Sequence, residues 1–166
     1  MSCTELIFFN KKGNISKIKQ VNNGRRSAYA IWERLFNKYY VGKDFVKELI
    51  FNQGKNIFNM WKEYNLNEDE TICLLYTFDY CIVEKNDIDK LIKAMRKFHV
   101  KGDSLLEQSN IIESIFKNNK NIRYLGCHQI DTSCYYWYDN NCLKESRSYF
   151  MFKDRDVFTT NVVKNK

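Results

Sequence analysis

The spacing of apolar residues changes twice along this chain, and that order constrains its fold more than any single motif. In "TELIFFN-KKGN-ISKIKQV" two short apolar runs flank a Lys-Lys-Gly-Asn turn, with Leu6 and Phe8 sharing one face by period-two alternation. This predicts a β-hairpin. From Ser27 the period becomes helical. "SAYAIWERLFNKYY" places Ala28, Ile31, Leu35 and Tyr39 on one stripe, with Ser27 as the predicted N-cap. "KDFVKELIFNQ" predicts a short helix burying Phe45, Val46, Leu49 and Ile50. After Gly54, "KNIFNMWKEYN" predicts another, burying Ile57, Phe58, Trp61 and Tyr64.

The Asn67/Glu70 pair has capping-box spacing and favours a helix ending near Phe78, followed by an extended Cys81–Glu84, although the β-branched and aromatic run "TICLLYTFDYCIVE" also suits a buried strand over 71–80. Asn86 is the predicted cap of the next helix. That helix has Asp87 and Asp89 in its first turn, Arg96, Lys97 and His99 at its end, and a stripe of Ile88, Leu91, Ile92, Met95 and Phe98. Ser104 and Glu107 repeat the capping-box spacing before a helix burying Leu105, Ile112, Ile115 and Phe116. From Asn121 the pattern returns to strands: "NIRYLGCHQI", "SCYYWYD" and "SRSYFMFKD", the last two joined by a turn at Asp139-Asn140-Asn141. Strands, then helices, then strands indicate an α+β fold: a small antiparallel sheet, N-terminal hairpin plus C-terminal strands, packed with about five helices. The 166 residues are expected to form a single domain.

No apolar run approaches the roughly 18 residues of a membrane span. "MSCTELIFFNKKG" lacks the basic and long apolar regions of a signal peptide. The six cysteines show no disulfide-framework spacing. A cytoplasmic protein with reduced thiols is expected, and no membrane partner.

Gly126–Trp137, "GCHQIDTSCYYW", concentrates reactive side chains. Cys127, His128, Cys134 and Cys142 lack the paired knuckle spacing of zinc sites, so no metal is expected. A thiol nucleophile would need a base, His128 or His99, and an orienting group, Asp131 or Gln129; no specific signature accompanies them. There is no P-loop and no G-x-G-x-x-G, so no cofactor is expected. The acids of Asn67–Glu70 and Asp87/Asp89 fit helix N-termini better than a metal-dependent nuclease centre. His128, Asp131 and Cys134 are therefore only weak catalytic candidates. The remaining reading is recognition, with Gln129, Tyr136 and Trp137 as contact residues.

Three segments resemble a pattern found in small uncharacterised proteins of bacteria and their phages: "TFDYCIVEKNDIDKLIKAMRKFH" (Thr77–His99), "LLEQSNII" (Leu105–Ile112) and "GCHQIDTSCYYW" (Gly126–Trp137). The resemblance implies a phage or mobile-element origin and no assigned activity. An Asn-, Lys-, Ile- and Tyr-rich composition similar to that of AT-rich bacteria and their phages points the same way.

The net charge is +7, and residues 1–26 hold Lys11, Lys12, Lys17, Lys19, Arg25 and Arg26 against Glu5 alone. Such a patch favours polyanions or acidic protein surfaces. The expected function is a small non-enzymatic binding protein, an anti-CRISPR-like inhibitor that occludes a host defence complex with basic and aromatic surface. Its expected partner is a protein or nucleoprotein complex in the host cytoplasm, with nucleic acid reached through the basic residues and a homodimer compatible with the aromatic excess. The alternatives are a hydrolase or nuclease centred on His128 and Asp131, and a non-specific nucleic-acid-binding accessory protein.

Overall fold

The structure, a computed structural model of the chain, describes residues 3–22, 28–77, 81–130 and 150–151. Strands β1 (Cys3–Asn10) and β2 (Ile15–Asn22) form the hairpin. Helices α1 (Ala28–Tyr39), α2 (Phe45–Phe51), α3 (Lys55–Glu63) and α4 (Glu68–Tyr76) follow. Then come β3 (Cys81–Glu84), a 3-10 turn (Lys85–Asp87), α5 (Ile88–Phe98), α6 (Leu105–Asn118), β4 (Ile122–Ile130) and the short β5 (Phe150–Met151). The fold is α+β, with six α-helices among the described residues where the sequence predicts about five.

The sheet order is β2-β1-β4-β3-β5. β1, β2, β3 and β4 pair antiparallel, and β5 pairs parallel with β3. β1 thus lies between its hairpin partner and a strand more than a hundred residues away, with Cys3 opposite Ile130 and Asn10 opposite Ile122. Its continuous run Leu6–Phe9 suits burial on both faces. Leu6 and Phe8 enter the main core with α1, α3, α4, α5 and α6, while Ile7 and Phe9 join Ile82 in a smaller cluster on the opposite face.

The hairpin turn closes on Asn10. Its Oδ1 accepts from the Lys12 amide at 2.9 Å and the Asn14 amide at 3.1 Å, and Gly13 supplies the φ of 82° that a side chain would resist. The Asn67–Glu70 capping box is present in both directions at 2.9 and 3.1 Å. Trp32 Nε1 donates to Thr77 Oγ1 at 2.8 Å and ties α1 to the end of α4.

Three local expectations change. α2 buries Phe45 and Glu48, not Val46 and Ile50, which stand exposed. A helix this short can set one narrow row against the core, and here the row is i, i+3 from Phe45. Asn86 does not cap α5; it lies in the 3-10 turn, and α5 begins after Asp87 without a side-chain cap. Ser104 does not cap α6: Asp103 Oδ1 accepts the Leu105 amide at 3.0 Å, and Ser104 Oγ instead receives Gln108 Nε2 at 3.0 Å. The Ser27 cap, the predicted strand "SCYYWYD" and the turn at 139–141 lie outside the described residues.

Candidate anion-binding groove

The ends of β1 and β3 and the start of β4 meet at one margin of the sheet, because Asn10 pairs with Ile122 and Glu84 with Tyr124. Lys11 and Lys85 directly follow β1 and β3, Lys120 and Asn121 precede β4, and Arg123 is its second residue. They form a groove of about 240 Å³ lined by Lys11, Lys85, Lys120, Asn121, Ile122 and Arg123. Four of those six linings are cationic and none is acidic.

Each cation has a structural reason to be there. Lys11 projects from the hairpin turn and is exposed. Lys120 follows the carboxyl end of α6, where the helix dipole favours positive charge. Asn119 closes that end, its Nδ2 donating to the Ile115 carbonyl at 2.9 Å, and the Ile122 amide donates back to the Asn119 carbonyl at 3.2 Å. Arg123 is half-buried and pairs with Glu84 at 3.3 Å, so its guanidinium is oriented but partly neutralised. Lys85 opens the 3-10 turn beside it. Like charges gathered this closely repel in the free protein and attract an anion that bridges them.

The basic residues singled out from sequence divide. Lys11 lines the groove and Lys12 sits in the same turn. Lys17 and Lys19 lie opposite Phe8 and Leu6, further along the outer strand β2. Lysines on an outer strand also discourage edge-to-edge pairing, which accounts for them without a ligand. Lys85, Lys120 and Arg123 carried no sequence signal of their own, since only the sheet order brings them to Lys11. Arg25, Arg26, Asp131, Cys134, Tyr136 and Trp137 lie outside the described residues.

His128 and Gln129 fall on β4. The register sets His128 opposite Glu5, a carboxylate 1% exposed that accepts from Gln20 Nε2 at 2.8 Å. Gln129 stands opposite Thr4, which is fully buried. Cys127 is buried in the main core, as are Cys73 and Cys81. Burial pushes the Cys73 and Cys81 thiols well up, which holds them neutral and unreactive. Among the described residues no group of three His, Cys, Asp or Glu side chains could hold a metal ion.

The other histidine, His99, belongs to a different cluster. Asp103 Oδ1 lies 2.7 Å from His99 Nδ1, and Asp103 Oδ2 accepts from the Val100 amide at 2.8 Å and Arg34 Nη2 at 3.2 Å. Arg34 also donates to the Phe98 carbonyl, with its guanidinium 4.5 Å from the Phe98 ring centre. Burial opposes the charge on Asp103. The Val100 amide, His99, the Leu105 amide and Arg34 outweigh it and hold the carboxyl below its ordinary value. Every bond Asp103 makes pins the turn between α5 and α6, so the cluster closes a loop beside an open cleft of about 670 Å³.

Among the described residues no helix is long and apolar enough to cross a membrane. Comparison with protein-family models, with curated proteins and with solved structures finds no match.

Proposed function

We propose that this chain is a small binding protein that grips a phosphate-bearing polyanion with the groove at the turn end of its sheet. The supporting observation is the convergence of Lys11, Lys85, Lys120 and Arg123, from three separate parts of the chain, on one concave surface without a lining acid. Scattered lysines solubilise; four cations around one groove can each replace a counterion on a nucleic-acid backbone. The turn on Asn10 holds the backbone that carries Lys11, and the Arg123–Glu84 pair orients one guanidinium before binding, which lowers the ordering cost.

The partner that best fits such contacts is the nucleic-acid part of a nucleoprotein complex. The resemblance to small phage and bacterial proteins makes an anti-CRISPR-like inhibitor the most concrete form of the proposal. It would act by occluding a nucleic-acid channel, without a cofactor, in the host cytoplasm.

Fluorescence anisotropy with labelled DNA and RNA over a series of salt concentrations tests the binding step. Four phosphate contacts on duplex DNA give a log–log salt slope of about −3.6. Lys85→Glu with Arg123→Glu should weaken binding at least tenfold and flatten that slope. A salt-independent affinity, or one unchanged by the charge reversals, overturns the reading. Sequence-independent binding without rescue of a phage from a nucleoprotein defence system would leave the accessory nucleic-acid-binding protein in place of the inhibitor.

A further inference from the structure

Among the described residues six large apolar side chains stand exposed, and four of them lie on α2 or just before it: Val41 at 84%, Val46 at 51%, Ile50 at 66% and Phe51 at 75%. Val46 and Ile50 are i, i+4 neighbours on one row of the helix, with Lys47 and Phe51 on the row beside it. Exposed apolar side chains gathered on one short helix and its approach, on a protein otherwise well supplied with lysine, mark a contact site.

The helix that carries it is held rigid. Seven residues do not sustain a helix in water unaided. Here Asp44 Oδ1 accepts the Lys47 amide at 3.1 Å. The buried Glu48 carboxylate accepts Asn52 Nδ2 at 2.9 Å, the Asn56 amide at 2.8 Å and Asn56 Nδ2 at 2.9 Å. Phe45 packs 5.0 Å from the Tyr29 ring and 5.7 Å from the Phe36 ring. The outer face is thus displayed in one conformation, and a partner need not order it.

The rim selects the partner. Lys43, Lys47 and Lys55 are exposed around the patch. Of the two nearby acids, Asp44 caps α2 and Glu48 is buried. A second copy of the chain joined about a twofold axis would bring these lysines toward their own counterparts. An acidic surface would pair with them. We propose that the outer face of α2 docks an amphipathic helical segment of a partner protein, with apolar side chains at i and i+3 or i+4 flanked by Asp and Glu. This surface is separate in sequence and in structure from the groove and does not rest on it.

The test is selection from a yeast-displayed library of randomised helical peptides. The full chain is the bait, and an Ile50→Ser/Phe51→Ser double variant is the counter-bait. Enriched peptides are expected to combine that apolar spacing with net negative charge. A labelled member should bind at least tenfold more weakly to the double variant, and severalfold more weakly to Lys43→Glu/Lys47→Glu, but equally to Lys85→Glu. Both sites are exposed, so the thermal midpoints of these variants should match that of the parent. No enrichment, enrichment of neutral or basic peptides, or equal affinity for the double variant overturns the proposal. So does a concentration-dependent dimer, seen by sedimentation, that Ile50→Ser disperses: it assigns the face to a second copy.

Discussion

Asp103 Oδ1 lies 2.7 Å from His99 Nδ1 across a single turn of backbone, and the carboxylate beneath is only 2% exposed. Its four bonds lock the α5–α6 connection onto Arg34 of α1, so one side chain joins three helices.

Asp103→Asn should therefore cost about 2–4 kcal/mol at neutral pH, the range for leaving buried donors unmatched. The folded carboxyl titrates below its ordinary 3.8, so its stabilisation is present above that value and is lost as pH falls through the lower folded value. Glu70 behaves alike around its ordinary 4.5. Burial works against its charge, and Lys38, Tyr39 and the Asn67 amide outweigh burial. Urea unfolding at pH 7 and pH 3 checks both. Wild type should lose stability at pH 3, and Asp103→Asn should lose less on acidification.

A buried polar chain crosses the helical core. Tyr76 Oη donates to Gln108 Oε1 at 2.9 Å, and Gln108 Nε2 donates to Ser104 Oγ at 3.0 Å. Gln108→Ala removes the Tyr76 hydroxyl's carbonyl acceptor, leaving it only the weak Cys127 thiol, and opens a void, for an expected loss of about 3 kcal/mol. Tyr76→Phe should cost about 1–2 kcal/mol. A double-mutant cycle read by denaturant unfolding should show coupling of about 1 kcal/mol; strict additivity would contradict the bond.

The thiols of Cys73, Cys81 and Cys127 should resist iodoacetamide at pH 8 in the native protein and react promptly in denaturant. Burial shields all three from the reagent. Peptide mass spectrometry after timed labelling locates the modified sites. Rapid native labelling of any of these three would show that the core opens locally.

Lys17 and Lys19 should matter for solubility more than for ligand affinity. Lys17→Thr/Lys19→Val is expected to raise association, seen by light scattering, because β2 forms an outer edge of the sheet. Charge reversal at both should weaken nucleic-acid binding less than reversal at Lys85 and Arg123.

What the sequence revealed depended on how local each cause was. The Lys11–Asn14 turn and the Asn67–Glu70 cap are decided within a few residues, and both were legible. The exposed face of α2 was not, because Val46 and Ile50 have the right spacing for burial and only the packing of Phe45 and Glu48 turns them outward. The caps at Asn86 and Ser104 failed for a related reason. A neighbouring 3-10 turn and the pinned Asp103 took the positions that spacing alone assigned to them. The groove was the least visible feature. Lys11, Lys85 and Arg123 are brought together by strand order, which no spacing along the chain encodes.

The pairing of Cys3 with Ile130 also sets a timetable for synthesis. The first strand to leave the ribosome is the one that waits longest for its neighbour, since β4 emerges only after all six helices. During that interval the hairpin offers the β1 edge, in addition to that of β2, and both faces of Leu6–Phe9 to whatever surrounds the nascent chain. A product cut short before residue 122 would keep that edge for life, and a collapse so dependent on distant contacts should be slow.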